Sequence, residues 1–141
     1  MCKVLVVDDE EDVLELARSH LSSMGHGIYS ANNGEEALRF LDAHESDPPC
    51  LLLTDLRMPI LDGWDLVHAL RLDPRWANLP VIVCSASVLP GSSPPVLKAK
   101  AYWSRRPSRE QFEQIHLHCA RHHHSWPPLA MSEPSVSKAA G

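Results

Sequence analysis

The sequence lacks an excess of basic residues. It carries 13 Lys and Arg against 18 Asp and Glu, which gives a formal net charge of -5 at pH 7. This is the wrong sign for a surface that binds the phosphate backbone of nucleic acids. No apolar run approaches the roughly 20 residues that a membrane-spanning helix requires. We therefore expect no direct contact with nucleic acid and no direct membrane role.

Targeting and disulfide signals are also missing. The chain enters an apolar, strand-like segment directly after Met1, without a basic and apolar leader before it, and this start predicts a cytoplasmic protein. The cysteines form no CxxC pair and lie in or beside apolar runs. We expect them to be buried thiols rather than partners in a disulfide framework or a zinc site. They are Cys2, Cys50, Cys84 and Cys119.

The length of 141 residues suits one domain with a tail. Hydrophobic residues make up 44% of the chain and charged residues 22%, as in ordinary globular proteins. We expect one domain over residues 1–122 and a flexible tail over 123–141, where prolines recur and apolar periodicity is lost.

Strands and helices are predicted to alternate along the domain. The best strand signals are the continuous apolar runs at 3–7, 50–54 and 80–84, which are typical of strands buried on both faces. Amphipathic patterns between them predict helices, and residues 108–119 predict a last helix. The alternation indicates an α/β fold with a parallel sheet covered by helices on both faces.

One helix of this series is expected to be short or irregular. After the strand at 80–84, the segment from Val88 to Ala99 contains Gly91 and three prolines, which remove helix hydrogen bonds. We therefore expect the fourth helix to be poorly formed.

Short polar residues follow each of the three best strands. Asp8 and Asp9 follow the first, Asp55 the second and Ser85 the third. The carboxyl ends of parallel strands share one edge of the sheet, where α/β folds bind ligands, so these residues should converge. Three carboxylates together would repel one another unless a cation neutralised them, and an all-oxygen cluster suits Mg²⁺. A carboxylate can also act as a nucleophile toward a phosphoryl group.

Over roughly residues 3 to 122 the sequence resembles the receiver domain of bacterial response regulators. The resemblance is carried by Val7-Asp8-Asp9, by Ser85-Ala86 and above all by the run Thr54-Asp55-Leu56-Arg57-Met58-Pro59-Ile60-Leu61-Asp62-Gly63. It implies a flavodoxin-like doubly wound sheet of five parallel strands in the order 2-1-3-4-5.

The resemblance also implies roles for individual residues. Asp55 would accept the phosphoryl group, while Asp8, Asp9 and Asp55 would hold Mg²⁺ together with the backbone carbonyl of Arg57. The hydroxyl of Ser85 would move to bond a phosphoryl oxygen.

Two further positions follow from the same resemblance. Arg106-Pro107 stands where the family has a Lys-Pro pair whose lysine contacts the phosphoryl group. Trp103 occupies the place of the aromatic residue that moves with Ser85, with the adjacent Tyr102 as the alternative.

The function that the resemblance implies is that of a single-domain response regulator without enzymatic turnover. A sensor histidine kinase or phosphotransfer protein would supply the phosphoryl group, and an unknown downstream protein would receive the signal. The alternative is a pseudo-receiver that docks to its partner without phosphorylation, which Arg106 and the interrupted fourth helix would suit.

Two rival sites are less favoured. A dehalogenase-like phosphatase would need a second aspartate two residues after Asp55, where Arg57 stands. The histidines near the end of the last predicted helix, from His116 to His124, could bind a metal together with Cys119. A solvated helix end is the preferred interpretation of those histidines.

Overall fold

A computed structural model of the chain describes residues 3–84, 99–103 and 107–120. The secondary-structure elements follow in the order β1 (Lys3–Val7), α1 (Glu11–Ser23), β2 (Gly27–Ala31), α2 (Gly34–Ala43), β3 (Leu51–Thr54), α3 (Gly63–Leu72), β4 (Val81–Cys84), β5 (Ala101–Trp103) and α4 (Arg109–Ala120).

Several predictions from the sequence fall outside this part of the chain. Ser85, Arg106, nearly all of the segment from Val88 to Ala99 and the expected tail at 123–141 are not among the described residues. Within the described residues, no helix is both long enough and apolar enough to cross a membrane.

The five strands form one parallel sheet in the order β2-β1-β3-β4-β5. Strand β1 lies between β2 and β3, and its residue Val7 is in register with Ala31 of β2 and with Thr54 of β3. This order is the one that the resemblance implied, so the predicted fold class is confirmed.

Helices cover both faces of the sheet, and each face has its own apolar cluster. Along β1, Leu5 and Val7 belong to the cluster beneath α2 and α3, whereas Val4 and Val6 belong to the cluster beneath α1 and α4. Successive side chains of a strand point to opposite faces. Burial on both faces is therefore the reason why β1 has a continuous apolar run rather than an alternating one.

The helix predicted at 108–119 is α4, and its start is capped as expected. The backbone N–H of Gln111 donates to Oγ of Ser108 at 3.2 Å, and the N–H of Ser108 donates to Oε1 of Gln111 at 2.8 Å. Such reciprocal bonds satisfy two of the donors that a helix start leaves without a partner. The apolar face of α4 is buried as predicted, through Phe112, Ile115 and Cys119.

One expectation about the cysteines is wrong. Cys119 is a buried thiol as expected, but Cys50 is disulfide-bonded. The backbone N–H of Cys50 donates to the carbonyl of Lys3 at 2.9 Å, so β1 and β3 begin side by side. Sequence spacing did not reveal this pairing, because it depends on which strands are neighbours in the sheet.

Gly63 is the position where the fold tolerates a side chain least. A Cβ atom there would lie 2.0 Å from the carbonyl oxygen of Asp55 and 2.8 Å from Cα of Leu56. Both contacts are with backbone, which cannot rotate away as a side chain can. The start of α3 therefore packs directly on the chain segment that carries Asp55.

We predict that Gly63→Ala lowers the free energy of unfolding by about 3 kcal/mol or more, because overpacking against backbone must displace a strand end. Gly27→Ala is the matched control, since its Cβ would meet only Cγ of the Lys3 side chain, at 3.3 Å. Urea denaturation of both variants measures the difference. Equal stability of the two variants would contradict the packing argument.

Candidate functional site

The three predicted carboxylates meet at the carboxyl edge of the sheet. Asp8 and Asp9 directly follow β1 and Asp55 directly follows β3, and these two strands are paired. The backbone N–H of Asp55 extends the pairing by donating to the carbonyl of Val7 at 3.0 Å. Each aspartate offers a carboxylate oxygen, and these oxygens all lie within 4.8 Å of one another.

Asp8 is the buried member of this group, with 5% of its surface exposed. Its backbone N–H donates to the carbonyl of Ala31 at 3.0 Å, and its Oδ1 accepts from the N–H of Glu10 at 2.9 Å. The pKa of Asp8 is raised to about 6, mainly by burial and also by the negative charges of Asp55 and Asp9, against the lowering effect of the hydrogen bond from the Glu10 N–H. A neighbouring cation would therefore favour the ionised form of Asp8 strongly.

Asp55 is half-buried, and its two oxygens are in different environments. Oδ1 accepts hydrogen bonds from the backbone N–H of Leu56 at 2.6 Å and from that of Arg57 at 3.4 Å. In the described part of the chain no group donates to Oδ2. Its lone pairs are therefore available to a cation or to an incoming phosphorus atom. This is the geometry that a carboxylate nucleophile needs, with one oxygen fixed and the other open.

The loop after Asp55 is held by two close backbone contacts. The N–H of Gly63 donates to the carbonyl of Leu56 at 2.9 Å, and the N–H of Gly34, at the start of α2, donates to the carbonyl of Leu61 at 2.8 Å. Between these contacts Ile60 has a φ of 70° and is 76% exposed. A β-branched residue in this backbone region is strained, and such strain is concentrated at functional loops.

Sequence reasoning missed the role of this support. Gly63 belongs to the run Thr54–Gly63 that carries the resemblance, and Gly34 to a turn before a predicted helix. Neither glycine was predicted to contact the acceptor loop. The sequence signal for this support was a glycine directly after a polar residue, at Asn33-Gly34 and at Asp62-Gly63. Both polar residues cap their helices, by accepting from Glu36 N–H and Asp65 N–H at 2.9 Å.

Two predicted site residues are exposed, and two others are not described. Asp9 and Arg57 are exposed at the same edge as Asp55, while Ser85 and Arg106 lie outside the described residues. Whether the carbonyl of Arg57 binds a cation stays a prediction.

The two aromatic candidates of β5 lie on opposite faces of the sheet. Trp103 is completely buried in the cluster beneath α1 and α4, whereas Tyr102 belongs to the cluster beneath α2 and α3. The Tyr102 hydroxyl accepts from the backbone N–H of Ala99 at 3.4 Å. A rotation of Trp103 would have to displace core side chains, and its role in switching stays a prediction.

This fold and this cluster are those of a known protein class. The sequence profile of the response regulator receiver domain matches residues 4–102. The chain therefore belongs to the response regulator receiver domain family.

Individual relatives agree with this assignment. The chain is 39% identical over 84 residues to the sensor histidine kinase TmoS of Ectopseudomonas mendocina, covering 60% of this chain and 8% of that protein. It is 32% identical over 83 residues to the probable transcriptional regulator ycf27 of Cyanidium caldarium, covering 59% of this chain and 31% of the relative. The matched region is thus about a third or less of these relatives.

A solved structure shows the same fold. The chemotaxis response regulator CheY4 of Vibrio cholerae superposes with a TM-score of 0.71 at 22% sequence identity, over 86% of this chain and 98% of CheY4.

The raised pKa of Asp8 makes stability depend on pH when divalent cations are removed by EDTA. Since the folded pKa of Asp8, about 6, lies above the ordinary aspartate value of 3.8, folding favours the protonated form. The resulting stability is fully present below pH 3.8 and is lost as the pH rises through 6. We predict that Asp8→Asn is more stable than the parent by about 2–3 kcal/mol at neutral pH.

The advantage of Asp8→Asn should shrink toward zero as the solution is acidified below the unfolded pKa of the aspartate. Urea unfolding at several pH values measures it. Asp12→Asn is the control, because Asp12 is exposed in the first turn of α1. An advantage of Asp8→Asn that did not change with pH would show that charge is not the cause.

Proposed function

We propose that the chain is a Mg²⁺-dependent phosphoacceptor that takes a phosphoryl group on Asp55 and signals through protein contact. The observation that carries this proposal is the convergence of Asp8, Asp9 and Asp55 within 4.8 Å. The hydrogen bonding of Asp55 supports it, because Oδ1 accepts from two backbone N–H groups while Oδ2 accepts from none of the residues that the structure describes.

The donor set fits Mg²⁺. Carboxylate oxygens are its preferred protein ligands, and it keeps several waters, so few protein ligands are needed. Asp8 and Asp9 would hold the ion with Asp55, and the carbonyl of Arg57 would add a further oxygen. When bound, the ion supplies positive charge that offsets the repulsion between the carboxylates and the phosphoryl oxygens.

The chain's own contribution to the transfer is positioning. Oδ2 of Asp55 attacks phosphorus and forms the new P–O bond, while the bond to the donor's leaving group breaks and its electron pair leaves with that group. The N–H groups of Leu56 and Arg57 keep Oδ1 in place during this step. Ser85 and Arg106 are proposed to contact the phosphoryl oxygens afterwards.

We propose a histidine kinase or a phosphotransfer protein as the donor. One relative is a sensor histidine kinase, although the shared region is only 8% of it. We propose a protein as the receiver of the signal, because the formal net charge of -5 disfavours binding to a nucleic acid. We also propose a cytoplasmic location, from the resemblance to receiver domains.

The test is phosphorylation of the purified protein by acetyl phosphate, with and without Mg²⁺, followed by intact mass measurement. We expect an adduct of one phosphoryl group, acid-stable and base-labile, only when Mg²⁺ is present. Asp55→Asn should abolish the adduct, and Asp9→Ala should raise the Mg²⁺ concentration that adduct formation requires.

Asp12→Asn serves as the control carboxylate, because it lies on α1 outside the cluster. Trp64, which is 39% exposed at the start of α3, should report Mg²⁺ binding through its emission. An adduct that persists in Asp55→Asn would overturn the assignment of the acceptor.

The second candidate function is a pseudo-receiver that docks without phosphorylation, and the presence of Arg106 favours it. Arginine carries a wide planar fork, whereas lysine presents a compact ammonium, so the two contact a phosphoryl group differently. If Arg106 bonds both Asp55 and a phosphoryl oxygen, uptake is retained while the movement of Ser85 and Trp103 is reduced.

We therefore predict that the parent is phosphorylated slowly and that Arg106→Lys enlarges the change in tryptophan emission on phosphorylation. Arg105→Lys is the matched control, one residue earlier in the chain. If the parent and Arg106→Lys both take no phosphoryl group from acetyl phosphate or from a kinase, the pseudo-receiver function replaces the first proposal.

A further inference from the structure

A pair of histidines joins two elements at the end of the sheet opposite to the aspartates. His26 lies in the loop between α1 and β2, directly before β2 begins, and His116 lies on α4. Nε2 of His26 and Nδ1 of His116 are 2.7 Å apart, within hydrogen-bond distance, and the ring centroids are 4.9 Å apart. The sequence placed His116 in a solvated, His-rich helix end and did not connect it with His26.

The burial of His26 makes the position of its protons important. Its residue is 9% exposed, and its second ring nitrogen, Nδ1, is buried without a hydrogen-bond partner among the described residues. The pair can exist in a neutral form in which His26 donates from Nε2 to Nδ1 of His116. In that form Nδ1 of His26 carries no hydrogen, and His116, which is half-buried, can turn its own N–H to solvent.

Adding one proton removes this arrangement. If the proton stays on His26, that ring carries hydrogen on both nitrogens. If it goes to His116, Nδ1 of His116 becomes the donor, so Nε2 of His26 must accept and the hydrogen of His26 moves to Nδ1. Either way a buried N–H at Nδ1 of His26 has no acceptor within the described ranges of the chain, which costs about 1–3 kcal/mol or more.

The groups around the pair do not offset this cost. Burial lowers the pKa of His26 below its ordinary value of 6.5, and the positive charges of His116 and of the amino terminus lower it further. Lys3 is beside Gly27 in the sheet register, and its ammonium is bonded to Asp47. The surroundings of His26 therefore favour the neutral pair.

The titratable groups of the packed helices α1 and α4 include His20 and Glu113. From α1, His20 bonds the carbonyl of Leu16 through Nδ1 and stacks on the ring of Phe112 of α4. From α4, Glu113 lies three residues before His116 and is exposed. Water screens the charge of this carboxylate.

We propose that the His26–His116 pair is a pH-sensitive contact, which holds α4 to the α1–β2 loop when both imidazoles are neutral and opens when the pair takes up a proton. The contact would make the position of the last helix respond to mild acid. It does not rest on phosphorylation, since it lies at the opposite end of the strands from Asp55.

The sign of the pH dependence follows from the lowered pKa. The unfolded chain binds the proton more readily than the folded one, so the stability contributed by the neutral pair is fully present above 6.5, the ordinary pKa of histidine. It is lost as the pH falls from 6.5 toward the lower folded pKa. Acid should therefore weaken the contact before it unfolds the domain.

The test compares the full chain with variants that cannot titrate at the pair. His26→Gln keeps an amide near the position of Nε2, and His116→Asn keeps one near the position of Nδ1, so the double variant can retain a hydrogen bond. The control is His68→Gln, because His68 is an exposed histidine on α3. Each protein is studied in EDTA, by urea denaturation and by NMR of the histidine ring protons.

On acidification from above to below 6.5, we expect the unfolding constant of the parent to rise about tenfold more than that of the double variant, because an unpaired buried N–H costs about 1–3 kcal/mol. His68→Gln should behave as the parent, and so should Asp55→Asn, which separates this inference from the proposed phosphoacceptor. In the parent, amide hydrogen exchange of α4 should accelerate in acid.

Three results would overturn the inference. One is that the ring of His26 titrates at or above 6.5, the ordinary pKa of histidine, in the folded parent. Another is that the double variant shows the same acid dependence as the parent. The third concerns a double variant that is unstable at every pH. In that case the inference is overturned if either single variant leaves the acid dependence of hydrogen exchange in α4 unchanged.

Discussion

The hydrogen bond from the N–H of Asp55 to the carbonyl of Val7, 3.0 Å long, is the contact on which the candidate site depends. It continues the pairing of β1 and β3 by one residue past the ends of the strands. Because the two strands are parallel and adjacent, their carboxyl ends must emerge together. Asp8 and Asp9 are thereby brought beside Asp55, although almost fifty residues of chain separate them.

This pairing forces like charges together, and the rest of the edge compensates for the repulsion. Asp8 accepts from the N–H of Glu10, and Asp55 accepts from the N–H of Leu56. The close packing of Gly63 on the carbonyl of Asp55 then prevents the acceptor from moving away. Since backbone donors offset only part of the charge, the cluster keeps an affinity for a cation and for a proton, which is the physical basis of the proposed Mg²⁺ dependence.

At the opposite end of the sheet, burial has the opposite effect on proton uptake. At Asp8, burial favours proton uptake, whereas at His26 burial disfavours it. The same desolvation acts in both places, but one group is charged when it loses a proton and the other when it gains one. A receiver domain can therefore carry two charge-sensitive positions that lie at separate ends of its strands and respond to different ligands.

Much of this architecture was predictable from local patterns. The apolar runs identified the buried strands because residues between two helix layers must be apolar on both faces. Ser108 and Gln111 marked the start of α4 because a helix start needs such side-chain partners. Asp8, Asp9 and Asp55 were predictable as a cluster, since their position after strands is visible in the sequence and parallel strands share an edge.

What the sequence by itself determined was the set of elements, their faces and the residues that follow the strands, because these depend on neighbours within a few positions. Only the tertiary structure decided that Gly63 packs on Asp55, that Cys50 forms a disulfide and that His26 meets His116. Each of these contacts joins residues whose separation along the chain has no period, so it depends on which strands and helices become neighbours. The different environments of Tyr102 and Trp103 were decided in the same way, because only the assembled sheet fixes which face of β5 lies beneath which helices.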